Sequence, residues 1–386
     1  MFLQPYNLLS LNASQDRSAR KLKILSLVET MEPAGGVERV VAALSGVWGI
    51  LGHQVIVATK RGSKSFFSLD NRAELISFDF REFSNRTRLL RALHRAWEFL
   101  LVTRRVVKLV RSRSVDVVYT TSPLDFAAAL IASLFSLRSI TVIASEHGAF
   151  DAFAAGYRVI RWLTYRFAWA VVVPRSLDLQ RFTEIGAHAF NIPHPLLAIN
   201  TPESHQADRQ NFALAAGRLV HDKGFDLLLR AWARVVPACE NWKLKIAGDG
   251  PLKDMLISLS KELQIEDKVE FLGVQSEMDQ LYSACGLFVL SSRAEGFGLV
   301  LLEAMNNGAR LVAFACSAAP IEMLQGGVGR LVPNGDYNAL ADAIIETIKA
   351  DHRSDSSPFR RSEVLQRHKI STVAAQWETL LNRIQK

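Results

Sequence analysis

The sequence predicts an α/β protein built from two doubly wound, Rossmann-like parallel-sheet domains in tandem, and three observations predict it. At 386 residues the chain exceeds the size at which a single core usually divides. Short apolar runs alternate with amphipathic helical patterns along nearly its whole length, as βα units require. The alternation stops once, over residues 192–211, where Pro193, Pro195 and Pro202 stand among polar residues, and then it resumes.

In the first half, strand-like runs fall at 22–28, 54–59, 115–119, 140–144 and 170–173, with helical patterns between most of them. In the second half they fall at 212–216, 244–247, 269–272, 287–290 and 310–313. Helices there are expected from Asp222, from Pro251 and from about Gly298, and one long helical pattern covers 363–384. The expected organisation is a loose tail over 1–20, a first domain over 21–191, a linker over 192–211 and a second domain over 212–360. A terminal helical segment follows over 361–386, with a return to the first domain left open. Ligands of open α/β sheets sit beyond the carboxyl ends of the strands, so two such domains facing a central cleft would hold a ligand between them.

Composition narrows the class. Hydrophobic residues make up 49% and charged residues 22%, as in ordinary folded proteins. Cys239, Cys285 and Cys316 form neither a CxxC pair nor a His/Cys cluster, so they read as reduced core thiols. The most apolar stretch, 126–145, is interrupted by Arg138 and three serines, too polar for a membrane span. The first 20 residues lack the pattern of a secretory signal, and a cytoplasmic location is expected. Charge is uneven: residues 1–200 hold 25 Lys/Arg against 15 Asp/Glu, a net +10, and the remainder carries a net −2. The first half therefore suits an anionic partner.

Three segments carry the candidate chemistry. Gly35-Gly36 follow the first strand and open a helix, where free N–H groups can meet an anion. Arg218 and Lys223 follow the first strand of the second half; a guanidinium fork and an ammonium together can hold a diphosphate. The third, from Ser292 to Met305, runs from a strand into a helix and places Glu295 before the helix and Glu303 inside it. Glu303 sits within the apolar run LVLLEAM, where an unpartnered charge is costly.

The pattern E-G-F-G-L-V-L-L-E resembles the signature of retaining glycosyltransferases of family 4, which adopt the GT-B fold. Gly35-Gly36, G-R-x-x-x-x-K-G from Gly217 to Gly224 and A-G-D-G-P from Ala247 to Pro251 are similar to that family in order and spacing, and the resemblance covers about 22–350. It implies that Arg218 and Lys223 neutralise the diphosphate of a nucleotide-sugar donor and that Glu303 accepts hydrogen bonds from its ribose. It further implies that Glu295 contacts the transferred sugar and that the backbone of Phe297, Gly298 and Leu299 cradles phosphate. His147, after the fourth strand, matches the family's histidine beside that sugar, so His147 and Glu295 are the expected catalytic pair.

The implied reaction transfers a hexose or N-acetylhexosamine, from a UDP-sugar in the first instance, with retention. Fixed cations and a helix N-terminus stabilise the leaving diphosphate in place of a metal, and no cofactor is expected. The stretch 85–113 carries nine Lys/Arg against Glu98, interleaved with Trp97, Phe99, Leu100, Leu101 and Val102. Residues 157–169 repeat the theme with Arg158, Arg161, Trp162, Arg166 and Trp169. Such faces suit an anionic membrane surface, and with it a glycan or polyprenyl-diphosphate-linked acceptor on the cytoplasmic side; a solvated face on a packed helix is the competing reading. A nucleotide-sugar epimerase and a non-catalytic nucleotide-binding scaffold are the alternative functions. No nucleic-acid module is visible.

Overall fold

The computed structural model describes residues 20–80, 88–136, 139–148, 150, 155–196, 209–350 and 357–385. The expected tail over 1–20 and linker over 192–211 fall largely outside them. The described residues up to Pro195, together with those from Lys369 onward, form one unit; those from Leu196 to His368 form another.

The first unit is a seven-stranded parallel sheet. Its strands are β1 (Lys23–Val28), β2 (Gln54–Thr59), β3 (Ala73–Ser77), β4 (Val117–Thr120), β5 (Thr141–Ser145), β6 (Ala170–Val173) and β7 (Ala189–Asn191), in the order β3-β2-β1-β4-β5-β6-β7. The chain starts at the centre, winds outward to β3 and crosses back to β4, so the topological switch lies between β1 and β4. All the crossovers except the β2–β3 connection, which is a loop over 60–72, run through helices. They are α1 (Gly36–Ile50), α2 (Arg88–Arg113), α3 (Pro123–Phe135), α4 (Ala155–Thr164) and α5 (Ser176–Glu184). Apolar side chains of α2 and α3 fill one face of the sheet, including Val102, Val106, Val110, Phe126 and Ala129. Elsewhere Trp48 of α1 meets Tyr119 of β4 and Trp377 edge to face, at centroid distances of 5.1 and 5.2 Å. Trp377 belongs to the last helix, so this aromatic cluster fastens the end of the chain onto the first sheet.

The second unit has six parallel strands: β8 (Gln210–Ala216), β9 (Lys243–Ala247), β10 (Val269–Gly273), β11 (Cys285–Leu290), β12 (Arg310–Phe314) and β13 (Arg330–Val332). Their order, β10-β9-β8-β11-β12-β13, puts the switch between β8 and β11. Its helices are α6 (Phe225–Val235), α7 (Lys253–Glu262), α8 (Met278–Ala284), α9 (Leu299–Asn306), α10 (Ala318–Leu324), α11 (Tyr337–Lys349) and α12 (Pro358–His368). Strand β11 is buried at all six positions, which explains its unbroken apolar sequence CGLFVL.

Two expectations need correction. Strands β3, β7 and β13 were not anticipated; all three lie at sheet edges, two are only three residues long, and AELIS in β3 is half exposed, so none offers an apolar run. The single helical pattern over 363–384 is two helices, α12 and α13 (Ile370–Asn382). Lys369 between them leaves the helical region at ψ 140°, and there the chain passes from the second unit back to the first.

Candidate functional site

At the carboxyl end of the second sheet, the loops after β8 and β11 flank the switch point and are strapped together. The Arg293 N–H donates to the Asp222 carbonyl at 2.8 Å and the Ser291 hydroxyl to the Lys223 carbonyl at 3.0 Å. Gly224 makes this approach possible: its φ is +62°, and a Cβ there would lie 2.0 Å from the Ser291 carbonyl oxygen. The A-G-D-G-P turn serves a like purpose, since a Cβ on Gly248 would lie 1.9 Å from the Gly217 carbonyl oxygen. Arg293 grips Asp226 at the start of α6 with a two-pronged fork at 2.7 and 2.6 Å. Burial pushes the Asp226 carboxyl up, but the fork outweighs it and holds the group below its ordinary range.

Inside this frame Lys223 Nζ donates to Glu295 Oε1 at 2.6 Å, and the Ser292 hydroxyl donates to the same oxygen at 2.6 Å. Glu295 is 6% exposed. The Lys223 stem crosses Gly217, close to the backbone that carries Arg218. The Arg218 side chain is exposed and makes no hydrogen bond or ion pair among the described residues. Cys316, just beyond β12, feels this cluster: burial first, then the Glu295 carboxylate, push its thiol up to about 12, so it stays protonated. Helix α9 begins at Leu299 with Gly298 as its N-cap, and no side chain caps its first turn. Glu303, one turn further in, is buried and accepts a hydrogen bond from the Tyr282 hydroxyl of α8 at 3.0 Å.

At the carboxyl end of the first sheet, His147 follows β5. Its Nε2 lies 3.3 Å from the Tyr119 hydroxyl, and its ring stacks on His194 at 5.1 Å with 13° between the planes. Burial, aided by the Arg175 charge, lowers the imidazole to about 3, so it is neutral near pH 7. Two buried arginines hold the surrounding loop by its carbonyls: Arg175 donates to Gly148 O at 2.6 Å and Arg161 to Phe150 O at 2.8 Å. Glu146 is buried beside them and accepts from the Tyr165 hydroxyl at 2.6 Å. Burial raises its carboxyl above the ordinary range against the pull of Arg161, Tyr165 and Arg175. Gly35 is the N-cap of α1 and faces the carboxylate of Glu38, which itself sits in the first helical turn. Burial raises Glu38 as well.

Residues 199–360 match the family model described as glycosyl transferases group 1, and residues 34–192 match that of glycosyltransferase family 4. The chain belongs to the family 4, group 1 glycosyltransferases. It is 27% identical to the amylovoran biosynthesis glycosyltransferase AmsD of Erwinia amylovora over 78% of this chain and 84% of that one. It is 28% identical, over 74% and 77%, to a Campylobacter jejuni α-1,4-N-acetyl-D-galactosaminyltransferase named as acting on a diphospho-undecaprenol-linked glycan. Among solved structures, HepE of Anabaena with UDP and glucose superposes with a TM-score of 0.72 at 21% identity, covering 94% of this chain and all of that one. The fold of this glycosyltransferase is therefore GT-B.

Within the enzyme, Arg218, Lys223, Glu295, Phe297, Gly298, Leu299 and Glu303 belong to the second unit, and Gly35, Gly36 and His147 to the first. Lys223 and Glu295, expected to serve diphosphate and sugar separately, are bonded to each other. The Phe297 side chain turns into the core against His368 at 5.4 Å, leaving only its backbone for a ligand. Cys316, expected as a core thiol, packs half-buried against the core at a strand end near Glu295. Tyr119, Tyr282 and His194 were given no role in the sequence, and Ser292 and Arg293 stood there only as the opening of the Ser292–Met305 segment. Each acts through a partner distant along the chain or through a short turn, and Tyr119, Tyr282 and His194 sit in no recognisable pattern. The E-G-F-G motif sits beside Ser292 and Arg293 and was the one available signal for those two.

Proposed function

We propose that this glycosyltransferase moves a hexose or N-acetylhexosamine from a UDP-sugar, with retention and without a metal, to a glycan or polyprenyl-diphosphate-linked acceptor at the cytoplasmic membrane surface. The observation that carries the reading is the Lys223–Glu295 pair at the β8/β11 switch point, beside exposed Arg218 and the start of α9. Breaking the anomeric C–O bond leaves charge on the departing diphosphate. Arg218, Lys223 and the first N–H groups of α9 are fixed donors for that charge, the largest kind of contribution in such reactions. In this reading Glu303, which Tyr282 holds by a hydrogen bond, accepts from the ribose hydroxyls and Glu295 from the sugar. The neutral imidazole of His147 can accept or donate one hydrogen bond to the transferred sugar without adding charge. UDP in HepE, and the polysaccharide and diphospho-undecaprenol chemistry in the names of the two curated relatives, support donor and acceptor class.

The membrane part of the reading rests on α2 and α4. Trp97 and Leu100 on α2 and Val159, Trp162 and Leu163 on α4 are each at least half exposed, with Arg95, Arg104, Arg105 and Arg158 among them. Some of the face expected from sequence points inward: Val102 is buried, Phe99 packs on the core, and Arg161 is buried against Phe150. The side chains of Arg86, Arg88 and Arg91 lie outside the described residues. Among the described residues no helix is long and apolar enough to cross a membrane.

The test incubates the purified enzyme with a panel of UDP-sugars and membrane lipids extracted from the source organism, followed by mass spectrometry and NMR of the product. A single new α-linked sugar, absent with Glu303→Ala, is expected. No transfer from any UDP-sugar, or transfer undiminished in Glu303→Ala, refutes the assignment.

A further inference from the structure

Two residues of the first unit hold the His147 ring, and each fixes something different. His194 lies nearly parallel to it, at 5.1 Å and 13°, and sets the plane of the imidazole. A stack does not distinguish one edge of the ring from the other, nor the nitrogen that carries the proton. The Tyr119 hydroxyl, 3.3 Å from Nε2, distinguishes both. Tyr119 has little freedom of its own. It is 1% exposed on β4, and its ring meets Trp48 at 5.1 Å and 71° and Trp377 at 5.8 Å and 67°, edge to face in each case. His147 is partly exposed, and its Nδ1 makes no hydrogen bond among the described residues. That leaves Nδ1 as the nitrogen available to a ligand.

The direction of the Tyr119 bond decides what Nδ1 offers. A neutral imidazole carries one proton, so when one nitrogen accepts, the other donates. A phenol has one proton as well. Burial pushes the Tyr119 hydroxyl far above its ordinary range, against the hydrogen bond it receives from Ser145, so the phenol keeps its proton. With its oxygen accepting from the Ser145 hydroxyl, the phenolic O–H is left to point at Nε2. Burial and the Arg175 charge hold the imidazole neutral, so Nε2 has a lone pair to receive it. Donors and acceptors then run in one sense, from Ser145 to Tyr119 to His147.

We propose that Tyr119 is a positioning residue for His147: it donates to Nε2, places the imidazole proton on Nδ1, and so presents His147 to the transferred sugar as a hydrogen-bond donor only. The sugar oxygen that meets His147 must therefore accept. The inference rests on the function proposed above and narrows the part His147 plays in it. The first arm of the test needs no substrate. Nitrogen NMR of histidine-labelled enzyme near pH 7, with the His147 signals assigned by their loss in His147→Asn, is expected to show a protonated Nδ1 and a bare Nε2. In Tyr119→Phe, which keeps the ring and its packing, the proton is expected to redistribute toward Nε2. A wild-type proton on Nε2, or an unaltered spectrum in Tyr119→Phe, overturns the proposal. The second arm is a double-variant cycle on donor kcat/KM in the lipid-extract assay. Asparagine in place of His147 offers an amide N–H near the position of Nδ1, with no tautomer to fix. Tyr119→Phe is expected to lower kcat/KM about tenfold in the wild-type background, the order of one neutral hydrogen bond. In the His147→Asn background it should cost less than about twofold. An equal loss in both backgrounds marks Tyr119 as a packing residue and overturns the proposal. A wild-type enzyme that shows the Nδ1 proton but transfers no sugar refutes the functional reading, and the sugar contact with it, while upholding the Tyr119–His147 bond.

Discussion

Replacing Lys223 by methionine separates the two roles its ammonium can have. The side chain keeps its unbranched stem without the ammonium, so Glu295 loses a partner at 2.6 Å and retains the Ser292 hydroxyl at 2.6 Å. Breaking a fully buried pair costs about 3–5 kcal/mol and an exposed pair contributes about 0–1 kcal/mol. With side-chain exposures of 26% for Lys223 and 6% for Glu295, this pair lies between those limits, so roughly 1–3 kcal/mol of stability is expected to go. At about 2–4 °C per kcal/mol, the Tm of a domain this size falls by about 2–12 °C. Losing one fixed donor to a developing anionic charge costs about 3–4 kcal/mol, or roughly 10²–10³ in kcat. The assay is UDP release at saturating donor, beside a thermal melt, for Lys223→Met, Glu295→Gln and the double variant. Removing Glu295's charge in the Lys223→Met background should restore part of the lost Tm, because no uncompensated carboxylate remains, while kcat stays low. If the double variant regains both, or if Lys223→Met turns over within about threefold of wild type, Lys223 only neutralises Glu295 and the diphosphate role is wrong.

Three further outcomes follow from the geometry. Gly224→Ala should cost at least about 2 kcal/mol, from the left-handed φ alone and the clash with the Ser291 carbonyl, and should abolish UDP-induced stabilisation; a melt within a degree of wild type would contradict the close approach of the two loops. Burial lowers His147 to about 3 and His53 to about 4, so the unfolded chain binds protons more readily than the folded one below its own value near 6.5. Their contribution is complete above that value and declines as pH falls from about 6.5 toward 4 and 3, by at most about 1.4 kcal/mol per pH unit for each histidine. His53→Asn should flatten the denaturant-midpoint curve across that window, and an unaltered slope would disprove the assignment. Replacing Trp97 and Trp162 together by glutamate should abolish co-sedimentation with anionic liposomes at moderate salt without altering the melt; equal binding by wild type and variant would remove α2 and α4 as the membrane face.

The sequence by itself determined the two α/β units, the strands buried on both faces and the glutamates of the β11–α9 segment. Each depends on residues adjacent along the chain: an apolar run such as CGLFVL must be covered, and E-G-F-G followed by an apolar helix encodes a strand–turn–helix whatever surrounds it. Edge strands such as β7 and β13 escaped because three residues cannot show a period. Tertiary structure alone decided which charges meet. Lys223 and Glu295 are 72 positions apart, Tyr282 and Glu303 21, and no local rule links them. It alone turned Arg161 and Val102 inward, away from the basic helical face that their neighbours share. It alone broke the last helical pattern at Lys369. Local propensity is summed along the backbone, whereas a buried charge finds its partner only when distant loops are brought to the same end of a sheet.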